Sequence, residues 1–155
     1  MTCNLCGSKN PPDAVDCVRC VKKIKASKRD LRPTTVLVVE DNSYIRLMLQ
    51  ALLSVEGYEV IEAEDGISGV NKALEHMPDL ILMDILLPLM NGVDAIAKLK
   101  ENPKSRHIPI LAVTCLDTKK DVIKAVRAGC DDYLKKPVMP QVLIEKINNL
   151  LRNSK

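Results

Sequence analysis

Short apolar runs alternate along the chain with longer segments in which apolar residues recur every three or four positions. The short runs are typical of buried strands, and the wider spacing is typical of helices with one buried face. Five such strand–helix pairs follow one another, which predicts an α/β fold with helices on both faces of a parallel sheet. We predict strands at 36–39, 59–61, 80–83, 110–113 and 133–134, and helices near 45–53, 67–76, 93–100, 122–128 and 143–151.

Acidic residues stand where two of the predicted strands end. The third strand runs into Asp84, and the first is followed by Glu40 and Asp41. Ligands of open parallel sheets bind in the crevice at the carboxyl ends of the strands. Three carboxylates there need a counterion, and their hard oxygen atoms suit Mg²⁺. Helix capping is an alternative for Glu40 and Asp41, because acids favour helix starts, but it does not explain their coincidence with Asp84.

Two further strand ends carry polar side chains. The fourth strand ends in Thr114, and Lys136 follows the fifth strand directly before Pro137. The turn after the first strand lacks the glycine-rich loop that cradles phosphates in nucleotide-binding folds, so a nucleotide enzyme is disfavoured. An acid pair, a central aspartate, a hydroxyl and a Lys-Pro pair in chain order on four strands form a specific combination.

Residues 34–153 resemble the receiver domain of two-component response regulators. The matching motifs are Val38-Val39-Glu40-Asp41-Asn42, Met83-Asp84-Ile85-Leu86-Leu87-Pro88 with Asn91-Gly92, Val113-Thr114 and Lys136-Pro137. The resemblance implies a flavodoxin-like sheet of five parallel strands in the order 2-1-3-4-5. It also implies a phosphorylation-dependent regulator, a phosphoacceptor rather than an enzyme, whose protein-binding surface is switched.

The same resemblance implies the phosphoryl-transfer site. Asp84 accepts the phosphoryl group from a phosphohistidine on a histidine kinase or a phosphotransfer protein. Glu40, Asp41 and Asp84 hold Mg²⁺ together with the backbone carbonyl of Leu86. Phosphoryl transfer needs an in-line carboxylate oxygen and cations that neutralise the equatorial oxygens, and this arrangement supplies both.

Three residues have implied roles in the response. Lys136 pairs with Asp84 and then with the phosphoryl oxygens, Thr114 hydrogen-bonds the phosphoryl group, and Tyr133 is the aromatic switch. Inward movement of Thr114 vacates space for Tyr133 and changes the face formed by residues 118–152. A downstream protein partner is expected on that face. The sequence leaves open whether phosphorylation also produces a homodimer. The alternative for Tyr133 is an aromatic side chain that covers an exposed strand.

Two positions depart from well-studied members of the family. Leu86 lies two residues after Asp84, and Leu116 lies two residues after Thr114. Both positions flank the path of the water that hydrolyses the acyl phosphate, and neither apolar side chain can orient that water. Our hypothesis is weak autophosphatase activity and a long-lived phosphoryl group.

The first 22 residues contain two cysteine pairs, with two residues inside each pair and ten between the pairs. Two such turns offer four thiolates to one tetrahedral ion, and the segment resembles a short zinc ribbon. The predicted ligands of this structural Zn²⁺ are Cys3, Cys6, Cys17 and Cys20. Iron in the same shell and a pair of disulfides are the alternatives.

Charge and hydropathy limit the choice of partners. Residues 1–33 carry eight Lys and Arg against three Asp and Glu, and the rest of the chain carries 15 against 17. We interpret 23–33 as a basic, solvated linker, since so mild a bias is weak support for nucleic-acid binding. Neither a membrane-length apolar run nor an export signal is present, which predicts a cytoplasmic protein without membrane association.

Two other functions fit less of the sequence. A transcription regulator would contact DNA through the zinc ribbon and the basic linker. A phosphatase of the haloacid dehalogenase type would need a second aspartate two residues after its nucleophile, where this chain has Leu86.

Overall fold

A computed structural model describes residues 8–9, 32–115 and 119–154. The chain divides into two units, Met1–Pro33 and Thr34–Lys155. The described residues of the second unit form five strands and five helices in alternation. The strands are β1 Thr35–Val39, β2 Glu59–Ala63, β3 Leu80–Asp84, β4 Ile110–Thr114 and β5 Asp132–Lys135. The helices are α1 Ser43–Val55, α2 Gly66–His76, α3 Gly92–Glu101, α4 Lys119–Ala128 and α5 Pro140–Asn153.

The five strands form one parallel sheet in the order β2-β1-β3-β4-β5, which confirms the predicted fold class. Successive strand residues point to opposite faces of the sheet, so each face has its own core. Leu37 and Ile81 belong to the core on one face, and Val36 and Leu82 belong to the core on the other. The central strands are therefore buried on both sides, which explains their uninterrupted apolar runs.

Polar caps rather than the apolar periodicity set the starts of α1, α2 and α3. The side chain of Asn42 accepts hydrogen bonds from backbone amides at the start of α1, and Asn91 accepts one from the amide of Asp94 at the start of α3. Asp65 and Ser68 form a reciprocal capping box at the start of α2. These three helices accordingly begin one or two residues before the first predicted positions.

Several predictions concern residues outside the described ranges. The four predicted zinc ligands, nearly all of the linker at 23–33 and Leu116 lie there, so these predictions stay predictions. Among the helices within the described ranges, none is both long enough and apolar enough to cross a bilayer.

Candidate functional site

The carboxyl ends of two neighbouring central strands bring three acidic residues together. Asp84 is the last residue of β3, and Glu40 and Asp41 directly follow β1, which pairs with β3. Carboxylate oxygens of the three residues all lie within 4.8 Å of one another. Glu40 and Asp84 are buried, whereas Asp41 is exposed. The crevice therefore presents the oxygen ligands that suit Mg²⁺ and includes one that is open to solvent.

Lys136 reaches this acidic cluster from the far side of β4. Its ammonium donates hydrogen bonds to Oδ2 of Asp84 and to Oε2 of Glu40, both at 2.6 Å. Its backbone N–H donates to the carbonyl of Thr114 at 2.9 Å, which places the start of its side chain beside β4. One cation thus lies between two buried carboxylates and offsets the repulsion between them.

The electrostatics of the cluster favour a charged lysine. Burial raises the pKa of the Glu40 carboxyl above its usual range, and the charge of Asp84 acts in the same direction. Burial alone would lower the pKa of Lys136, but hydrogen bonds and charges from Asp84 and Glu40 outweigh it and raise that pKa above 10.5. The stability that this ammonium contributes is therefore complete below the pKa of an unfolded lysine and is lost as the pH rises through the higher folded-state pKa. Lys136 is accordingly a cation at neutral pH.

Thr114 and Tyr133 differ in how close the fold brings them to the crevice. Asp84 pairs in register with Val113, so the buried Thr114 lies one residue further towards the same carboxyl edge. Tyr133 pairs with Ala112, two positions back from that edge, and is 44% exposed. Thr114 therefore lies at the carboxyl end of β4, next to the strand end that carries Asp84, and Tyr133 lies on the accessible edge strand.

The loop after β3 folds back onto the strand end and holds Asp84. The backbone amide of Leu86 donates to Oδ1 of Asp84 at 3.0 Å, so both oxygens of this carboxylate accept hydrogen bonds. The amide of Gly92 donates to the carbonyl of Ile85 at 2.9 Å. A Cβ atom on Gly92 would lie 2.0 Å from the backbone oxygen of Asp84, so the approach requires glycine. The side chain of Leu86 is 54% exposed.

One residue that contacts the site was not among the sequence predictions. Arg46, on α1, donates from Nη1 to the backbone carbonyl of Glu40 at 2.7 Å and to that of Asp41 at 3.4 Å. Its Nε lies 3.9 Å from Oε1 of Glu62. A lone basic residue one turn into the helix after an acid pair is a weak signal, because most such residues are solvated.

The chain is similar to known proteins over the region that contains the site. Residues 36–148 match the family model of the response regulator receiver domain. The polar-differentiation response regulator DivK of Brucella anthropi is 39% identical over 119 residues, which cover 77% of this chain and 97% of DivK. The similarity therefore spans nearly the whole relative and includes every residue of the acidic cluster.

Solved structures agree with this match. The receiver domain of a sensor histidine kinase from Pseudomonas aeruginosa, with a magnesium ion coordinated in its active-site cleft, is 32% identical with a TM-score of 0.73. The match covers 77% of this chain and 98% of that one. The chemotaxis protein CheY4 of Vibrio cholerae is 28% identical with a TM-score of 0.73, covering 77% and 99%.

Proposed function

Because this chain belongs to the response regulator receiver family, we propose that Asp84 accepts a phosphoryl group from a phosphohistidine on a histidine kinase or a phosphotransfer protein. A lone pair of a carboxylate oxygen of Asp84 forms a bond to phosphorus, and the P–N bond breaks with its electron pair remaining on the imidazole nitrogen of the donor. The observation that carries the proposal is the 2.6 Å contact of Lys136 with the buried Asp84, beside two further acids. The family supports phosphorylation-dependent signalling and lends no support to the DNA-binding alternative.

Glu40, Asp41 and Asp84 are the side chains that would hold Mg²⁺, together with the backbone carbonyl of Leu86. The donor set supports this assignment, since three carboxylates lie close together and one of them is open to solvent. Receiver domains bind Mg²⁺ in the active site, as the Pseudomonas aeruginosa domain does. The ion supplies positive charge that neutralises the oxygens of the transferring group.

Lys136 supplies the second positive charge. In the unphosphorylated protein its ammonium is shared between Asp84 and Glu40. Once Asp84 carries the phosphoryl group, the new acceptor oxygens compete for that ammonium, and Lys136 turns from Glu40 towards them. The exchange of partners requires little movement, because the ammonium already lies 2.6 Å from the acceptor carboxylate.

Thr114 and Tyr133 would convert phosphorylation into altered binding. A phosphoryl group adds about −1.5 to −2 charges and strong acceptor oxygens, towards which the hydroxyl of Thr114 moves. Tyr133 then follows into the vacated space and changes the 118–152 face. Couplings of this kind are about 1–3 kcal/mol, which suffices to bias a downstream partner or a homodimer without refolding the domain. Receiver domains interact with histidine kinases and with downstream partners.

The amino-terminal segment completes the proposed organisation of the chain. A zinc ribbon at 1–22 and a basic linker at 23–33 precede the receiver domain at 34–153. The support for zinc is the spacing of the four cysteines, two residues within each pair and ten between the pairs. A closed shell of four thiolates leaves no position for a substrate, so the ion has a structural role.

The proposed function is tested by incubating the full chain with acetyl phosphate and Mg²⁺. We expect one phosphoryl adduct by intact mass, and we expect alkali or hydroxylamine to remove it, because an acyl phosphate is labile to both. Chelation of Mg²⁺ should slow adduct formation by about an order of magnitude or more, because the oxygens of the transferring group then lack a cation. Lack of a wild-type adduct, or an adduct that survives hydroxylamine, would overturn the proposal.

The lifetime of the phosphoryl group is expected to depend on Leu86 and Leu116. A double variant, Leu86→Asn with Leu116→Glu, places polar groups beside the path of the hydrolytic water and should shorten the lifetime by about tenfold, because the water is then oriented. Leu89→Asn is the matched control, since Leu89 lies on the same loop and is 81% exposed. The measurement is the decay of the adduct after acetyl phosphate is removed. Equal lifetimes in the wild type and the double variant would refute the hypothesis.

A further inference from the structure

We propose that Arg46 is a positioning residue for the metal site: its guanidinium holds the backbone of Glu40 and Asp41 in the arrangement that binds Mg²⁺. This inference rests on the proposed function, because it concerns the same two acids. Arg46 forms no hydrogen bond or ion pair with either carboxylate of the pair. Its hydrogen bonds go to the two backbone carbonyls, at 2.7 Å for Glu40 and 3.4 Å for Asp41.

Every polar group of Glu40 has a hydrogen-bond partner, and Arg46 is the partner of its backbone carbonyl. Its backbone amide donates to the carbonyl of Ala63 on β2 at 3.0 Å. Its two carboxylate oxygens accept hydrogen bonds from Lys136 and from the amide of Asn42. The carbonyl of Glu40 accepts from Arg46, so this guanidinium completes the set of contacts that orients the residue.

Asp41 depends more strongly on its backbone. Its side chain is exposed, so core packing does not orient it, and the direction of its carboxylate follows from the peptide to which it is attached. Arg46 contacts the carbonyls on both sides of the Asp41 amide nitrogen and Cα. Loss of these contacts would let the Asp41 peptide rotate and would widen the distribution of ligand positions.

The first turn of α1 makes Arg46 a rigid support. The side chain of Asn42 accepts from the amides of Tyr44 and Ile45 at 3.0 and 3.1 Å, and the amide of Arg46 donates to the carbonyl of Asn42 at 2.9 Å. The side chain of Arg46 is only 17% exposed, so packing restricts its motion. The turn that ends β1 and the helix that follows are thereby joined by one side chain.

A guanidinium suits this task better than an ammonium. Its donors form a planar fork with fixed directions, so Nη1 can face the two carbonyls while Nε points towards Glu62. A lysine retains the charge, but its ammonium ends a flexible stem and its donors have no fixed direction, so it would hold the two carbonyls less rigidly. Arg46→Lys therefore separates the geometric contribution from the charge.

The test is an amide NMR titration of the full chain with MgCl₂, at a temperature where circular dichroism shows each variant folded. Partners that orient metal ligands typically contribute 10–100-fold in metal affinity, and we expect about tenfold weaker binding for Arg46→Lys. Arg46→Gln should also bind more weakly, although removal of a cation next to an anionic site by itself strengthens Mg²⁺ binding. Glu62→Gln is the control, because it removes the ion pair at 3.9 Å and leaves the carbonyl contacts in place.

Phosphorylation gives a second measurement. Arg46→Lys should form the acetyl phosphate adduct slowly at low Mg²⁺ and approach the wild-type rate at high Mg²⁺, because only the affinity for the ion is impaired. Wild-type affinity in Arg46→Lys, or tighter binding in Arg46→Gln, would overturn this inference and leave the proposed function intact. A wild-type protein that does not bind Mg²⁺ would overturn both.

Discussion

Asp84→Asn is expected to abolish the phosphoryl adduct with acetyl phosphate and Mg²⁺. The amide has nearly the shape of the carboxylate, but it lacks the negative charge and the nucleophilic oxygen that attack phosphorus. The variant should remain folded for two reasons. Lys136 keeps its hydrogen bond to Glu40, and the charge of Asp84 that raises the pKa of Glu40 is removed.

Intact mass and peptide mapping of the wild type and Asp84→Asn provide the measurement. Asp94→Asn is the matched control: it makes the same chemical change at an exposed acid in the first turn of α3, outside the acidic cluster. We expect the control to form the adduct at the wild-type level. An adduct of equal size in Asp84→Asn, mapped to any other residue, would contradict the assignment of Asp84 as the acceptor.

Gly92→Ala is expected to have the largest effect on stability. The new Cβ would lie 2.0 Å from the backbone oxygen of Asp84 and 2.7 Å from Cα of Ile85. Both atoms belong to the backbone, so the overlap cannot be relieved by rotating a side chain. Overpacking typically costs about 1–3 kcal/mol and occasionally more, and overlap with backbone should place this variant at about 3 kcal/mol or above. Relief of the overlap moves the end of β3, so adduct formation on Asp84 should slow as well.

Gly57→Ala separates this overlap from backbone strain. Gly57 has a φ of +85° with nothing within 4 Å of its Cβ position, so alanine there should cost only the left-handed conformation, about 1–2 kcal/mol. Urea unfolding of both variants and the wild type measures the difference, provided that the m-values agree. A Gly92→Ala protein as stable as Gly57→Ala would mean that the loop after β3 relaxes freely and does not hold Asp84.

The sequence was most informative where structure depends on local spacing. The apolar runs located β1, β3 and β4 because central parallel strands are buried on both faces and carry few polar residues before their ends. The edge strands β2 and β5 were located from shorter apolar pairs, Val60-Ile61 and Tyr133-Leu134. The sequence was less accurate at helix starts, because caps such as Asn42 and Asp65 determine these positions and periodicity detects only buried residues. The predicted site residues lie at or directly after the carboxyl ends of strands, and parallel strands bring such residues to one edge of the sheet. They are Glu40, Asp41, Asp84, Thr114 and Lys136.

Apart from the pairing of Lys136 with Asp84, which the resemblance already implied, the contacts within the site were decided by the tertiary structure. Lys136 is 96 residues from Glu40 and 52 from Asp84 in the chain, so nothing in local spacing indicates that one ammonium contacts both. The contact of Arg46 with two backbone carbonyls, likewise, depends on how α1 leaves the sheet. The sequence by itself determined the strands, their likeness to a receiver domain and the residues at the crevice, because periodicity and motifs are properties of short segments. Only packing of the sheet decided which atoms of these residues meet, because distances between remote segments depend on every element between them.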